Sequence, residues 1–238
     1  MTIKGFSLIE VAIVLVIIGL LAMGLLTPIA VQMDLKKIKQ TDKTLEKIKE
    51  ALLGFAVING RLPCSAPDKD KDKEGNEILE KDKGKEHEDW CEKEGFLPWK
   101  NLGVGRYDGW GNPFRYRAED EYSKDPMILS EVLVKADETG SGLRIRNREI
   151  EDDSKSSPKK YFYFTTKTND SRVVAVIFSH GKNGKPYDDD TNNDDNAHSS
   201  NRIFVYDGYI ENKFDDRLTW LSRNTLMNRL LLAKKLPR

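Results

Sequence analysis

The stretch Lys4-Gly5-Phe6-Ser7-Leu8-Ile9-Glu10 runs directly into an apolar segment from Val11 to Val31, diluted only by Gly19, Gly24, Thr27 and Pro28. About 20 apolar residues at 1.5 Å each match the thickness of a bilayer core, so residues 11–31 are expected to span a membrane as a helix. Glu10 is the anomaly. A carboxylate at the edge of such a helix is costly in lipid and persists where it finds a partner, so it asks for a cation.

Met1-Thr2-Ile3-Lys4 is a short basic leader, and one reading of the apolar run behind it is a secretory signal. That reading needs a shorter apolar core and an Ala-x-Ala-like cleavage site after it, and the run offers neither. A single-pass anchor with one stray Glu is the plainer alternative. The string Gly5-Phe6-Ser7-Leu8-Ile9-Glu10 resembles the processing site of type IV pilins and of the pilin-like subunits of type II secretion systems. The resemblance implies that a prepilin peptidase cuts between Gly5 and Phe6, that Phe6 becomes the N-methylated first residue, and that Glu10 is the fifth residue of the mature chain. It also implies the missing cation, since Glu10 would face the N-terminal amine of a neighbouring subunit in a filament. Two charges that are costly alone become tolerable as a pair.

Working outward, apolar residues recur at Leu35, Ile38, Leu45, Ile48, Leu52, Phe55 and Ile58, with Lys and Glu between them. This is one helical stripe. Only Pro28 interrupts the pattern, so one helix is predicted from about Ser7 to Ile58, kinked or opened by a turn at Pro28 and stopped by Asn59-Gly60 and Pro63. Its first half is apolar all round and its second half amphipathic, the two-part helix that the pilin resemblance also implies. The expected organisation is a leader at 1–5, a hydrophobic transmembrane and assembly helix at 6–33, its amphipathic continuation at 34–58, and a periplasmic globular domain at 59–238.

The 238 residues leave about 180 for that domain, ample for one core. Lys plus Arg and Asp plus Glu both number 39, so no net field points to nucleic acid or to an anionic membrane surface. Cys64 and Cys91 lie after the apolar run, where a periplasmic domain would be oxidising; a bridge between them is expected, two free buried thiols being the alternative. They would staple a charged loop at 67–89, which has too few apolar residues to fold alone. Asp68, Asp70 and Asp72 alternate as in a calcium loop, but Lys73 stands where that loop needs Gly and Leu79 where it needs Glu.

Asp108-Gly109-Trp110-Gly111-Asn112-Pro113 is a turn signal ahead of a first strand at Phe114 and Tyr116. It resembles the turn that precedes the first strand of type II pseudopilins. Further strands are predicted at 128–134, 143–148, 161–165, 172–179 and 202–206, joined without helices and therefore in an antiparallel sheet. Val173 to Phe178, apolar on both faces, should be central, with the long helix across the sheet. Leu218 to Leu221, Leu226, Leu230 and Leu231 are read as a C-terminal amphipathic helix, with Ser222 to Asn224 as candidate caps within it. The fold class is thus α+β, a pilin-like fold.

No zinc spacing, nucleophile elbow or phosphate loop is present. Ser179-His180-Gly181 reads as a strand end turning through Gly181 and Gly184. No cofactor is expected, with calcium the one ion the acidic loop would suit, at Asp188, Asp190 and Asp194. The expected protein is a pilin-like structural subunit and not an enzyme, made for a type IV pilus or a type II secretion pseudopilus, anchored once in the inner membrane. Its expected partners are other pilin-like subunits through the N-terminal helix, the prepilin peptidase and the inner-membrane assembly platform. The rival is a membrane-tethered periplasmic enzyme or binding module whose N-terminus coincides with the motif.

Overall fold

The computed structural model of the protein describes residues 7–68, 78, 80–91, 93–123, 142–147, 164, 172–184, 202–208 and 214–234, with the backbone alone at 21–30. Helix α1 spans Leu8–Asn59, 52 residues and therefore about 78 Å. It starts where the sequence supplies a capping box. Ser7 is in extended geometry, its Oγ accepts from the Glu10 amide at 3.3 Å, and Glu10 Oε2 accepts from the Ser7 amide at 3.2 Å. It stops at Gly60, which takes the left-handed conformation (φ 73°) and returns its N–H to the Ala56 carbonyl. The backbone stays helical through Pro28.

The buried face of α1 is Thr41, Leu45, Ile48, Leu52, Leu53 and Ala56. The predicted stripe is therefore right at its centre and wrong at its ends: Ile58 is 77% exposed and Leu35 51%. Two successive steps of three residues carry Ile58 about 120° around the helix from Leu52, while Ala56, four residues on, stays beneath it.

This face covers a four-stranded antiparallel sheet of order β1-β2-β4-β6, made of β1 (Gly95–Phe96), β2 (Arg115–Ala118), β4 (Val173–Ser179) and β6 (Arg217–Ser222). β4 lies between β2 and β6 and is buried along its whole length, as its two apolar faces require. A register irregularity between Val173 and Ala175 puts both Val174 and Ala175 on the helix side. Val173, Val176 and Phe178 face the other way, into a second core with Leu143, Ile145, Phe204 and Leu218. That second core is roofed by β3 (Arg144–Arg146) and β5 (Ile203–Val205), so the domain has three layers. Short helices α2 (Trp99–Leu102) and α3 (Asp120–Ser123) flank β2 in the chain.

Two expectations are corrected. β3 and β5 run parallel, paired Arg144 to Ile203 and Arg146 to Val205, so the sheet structure is not wholly antiparallel. Residues 218–221 form a strand instead of helix. Leu218 and Leu221 face opposite cores, which only an extended chain allows. Helix α4 begins just after, at Arg223–Leu232, capped by Ser222 Oγ on the Thr225 amide at 3.3 Å, and it packs Leu226 and Leu230 into the α1 core. The strands predicted at 128–134 and 161–165 lie outside the described residues, apart from Phe164, whose amide donates to the Ile145 carbonyl at 2.9 Å.

Candidate functional site

Glu10 is the third residue of α1, and its carboxylate is engaged by the capping box with Ser7. Gly5 and Phe6 lie outside the described residues. Among the described residues nothing covers the helix from Leu8 to Leu20: Leu8 is 89% exposed, and Ile9, Leu15, Val16 and Leu20 also stand open. A solvent-facing rod of Leu, Ile and Val is stable only when something apolar surrounds it. Among the described residues no helix is long and apolar enough to cross a membrane. The described side chains of the apolar run break off at Leu20 and resume only at Val31, so the described stretch is well short of the roughly 20 residues a span needs.

Below this rod, the domain grips α1 through a row of polar contacts. Lys182 Nζ reaches Asp34 at 2.8 Å, and that hydrogen bond is the main cause holding the Asp34 carboxyl below its ordinary range. Arg217 forks onto Asp42 with two contacts of 2.8 Å, and Arg229 pairs with Glu50. The turn at 108–112 is closed by Asp108, whose Oδ1 accepts from the amides of Trp110 and Asn112, both at 2.8 Å. Its Gly109 amide donates to Thr41 Oγ at 3.0 Å, and Asn112 Nδ2 donates to the Gly181 carbonyl at 2.7 Å. The Trp-Gly-Asn-Pro turn is thus the piece that seats the domain on the helix. Its sequence signalled a turn but not that contact.

At the other end of the domain, Cys64 and Cys91 form a disulfide. Around it, Arg61 forks onto Glu86 at 2.7 and 3.0 Å, Glu86 Oε2 accepts from the Cys64 amide at 3.0 Å, and Arg115 bridges Asp68 and Glu94. The charged stretch therefore returns to the domain through its acids: Gly84 packs directly against the Trp99 ring, and Trp90 is buried. Asp68 is held by Arg115 at 2.9 Å and by Trp90 Nε1 at 3.3 Å, a structural use of its carboxylate. Asp70 and Asp72 lie outside the described residues, as do Asp188, Asp190 and Asp194. Among the described residues no group of three or more His, Cys, Asp or Glu could hold a metal.

Ser179 ends β4, and His180 leads into Gly181, which turns at φ 59°. The Ser179 hydroxyl donates to Asp108 Oδ2 and accepts from the Gly181 amide. His180 packs edge-on to Phe178, 3.9 Å from Asp216, and burial pulls its pKa down to about 4. Hydroxyl and imidazole serve different partners and do not meet as nucleophile and base.

A family model described as the prokaryotic N-terminal methylation motif matches residues 1–26. No curated protein and no solved structure matches the chain. The matched motif contains Gly5, Phe6 and Glu10 and stands at the head of a helix laid on an antiparallel sheet with a C-terminal helix behind it. The matched motif supports a type IV pilin-like protein.

Proposed function

We propose that the protein is a minor pilin or pseudopilin, a structural subunit that a prepilin peptidase cuts after Gly5 and that assembles into a type IV pilus or a type II secretion pseudopilus. It works by packing and not by catalysis. The first part of α1 holds the precursor in the inner membrane and then packs against the same segment of other pilin-like subunits, while residues 59–238 stay periplasmic. The observation that carries this reading is the methylation motif at residues 1–26 continuing into an uncovered apolar helix.

Glu10 has the central part in assembly. The capping box satisfies it in the free chain. In a filament the amine of a processed Phe6 on a neighbour becomes its counter-ion, and deleting the acid strands that amine at a cost of several kcal/mol per junction. Glu10→Ala should therefore leave membrane insertion, cleavage and domain folding intact while abolishing recovery in sheared or cross-linked filament fractions. Recovery equal to wild type would remove Glu10 from the mechanism.

A further inference from the structure

Among the described residues, one edge of the main sheet is closed and the other is open. At the β1 edge, Ala66 pairs with Phe96 through two main-chain hydrogen bonds of 2.8 and 2.9 Å. At the far edge, β6 hydrogen-bonds to β4 alone among the described residues. Beside that open edge runs a trough of about 430 Å³. Its lining includes Arg217 and Thr219 from the helix-facing side of β6 together with Leu218 and Trp220 from the opposite side, so the trough lies along the strand's edge and not over a face. One wall is α1, with Glu46 and Asp42; the other is Tyr206, whose ring meets Trp220 edge-on at 5.4 Å.

β6 lacks two of the devices that normally protect an edge strand. It has no Pro and no Lys, and its single charge, Arg217, is turned onto Asp42. An open row of main-chain donors and acceptors is best satisfied by another extended chain, whose side chains then alternate between the two walls. The walls differ in chemistry. Trp220 and Tyr206 offer apolar rings, whereas Glu46, which accepts from Thr219 Oγ1 at 3.4 Å and pairs with Lys49 at 3.9 Å, keeps its carboxylate 65% exposed.

We propose that this trough docks an extended peptide segment of a partner protein, paired to β6 through its main chain, with apolar side chains against Trp220 and Tyr206 and basic ones against Glu46. This goes beyond the proposed pilin role and does not depend on processing at Gly5.

The test is calorimetric titration of the full chain, held in detergent micelles, with three hexapeptides: one alternating valine and lysine, its valine–glutamate counterpart, and the valine–lysine peptide with alternate amides N-methylated. The valine–lysine peptide should bind at least about tenfold more tightly than either of the others. Glu46→Lys, an exposed change that spares the fold, should invert the preference between lysine and glutamate peptides, and Trp220→Ala should weaken both. Equal binding of the N-methylated peptide would overturn strand pairing, and an unchanged preference in Glu46→Lys would overturn the assignment of the walls. No binding of any peptide at millimolar concentration would overturn the site. Self-association of the chain that Trp220→Ala dissolves would assign the trough to a second copy and overturn the partner.

Discussion

The amide of Gly109 donates to Thr41 Oγ, and its α-carbon lies so close to α1 that a Cβ there would stand 2.5 Å from the Lys37 carbonyl oxygen. Thr41 is fully buried and also donates its hydroxyl to Lys37, so one small contact fixes the domain's height along the helix. Gly109→Ala must push the turn off the helix and should cost about 1–3 kcal/mol. Thr41→Val, similar in shape but without the acceptor, strands the Gly109 amide and should cost about 1–3 kcal/mol as well. Urea unfolding followed by tryptophan fluorescence checks both, and the pair should be less than additive because the two changes break one contact.

Reduction of Cys64–Cys91 should cost about 3–4 kcal/mol, the loop-closure value for a bridge across 27 residues. Because Arg61–Glu86 and Arg115–Asp68 hold the same loop, the reduced chain should still fold. Denaturation with and without reductant measures the difference. Loss of the cooperative transition on reduction would show that these ion pairs cannot hold the loop alone.

His180 predicts a pH dependence. Its folded pKa of about 4 lies below the ordinary 6.5 because burial disfavours the imidazolium. The unfolded chain therefore binds the extra proton first, so stability is full above pH 6.5 and falls as the pH drops from 6.5 towards 4, by about 3 kcal/mol. Glu94 and Glu119, raised by burial, act with the opposite sign above the ordinary carboxylate range. The difference between wild type and His180→Gln isolates the histidine. Parallel stability curves for the two proteins between pH 4 and 6.5 would refute it.

The features legible in the sequence are the local ones. Ser7 and Glu10 spell a capping box, Gly60 a helix stop, and Val173 to Phe178 a strand buried on both faces; each is decided within a few residues. β6 was not legible as a strand, because the steps Leu218 to Leu221 and Leu226 to Leu230 are both helical spacings and only the second core beneath Leu218 and Trp220 makes the chain extended there. The parallel pairing of β3 with β5 joins three-residue strands with β4 between them in the chain, and nothing local encodes it. In the candidate site, Gly5, Phe6 and Glu10 were readable as one motif. The Gly109–Thr41 contact, 68 residues apart, and the open edge of β6 exist only once the layers have packed.

Processing at Gly5 is the central claim, and intact-mass spectrometry of the chain co-expressed with an active prepilin peptidase tests it most directly. The predicted product begins at Phe6, carries one methyl group on its new N-terminus, and retains residues 6–238, while Gly5→Leu keeps the precursor mass. An unprocessed wild-type chain, in cells where the same peptidase matures a control prepilin, would contradict the account.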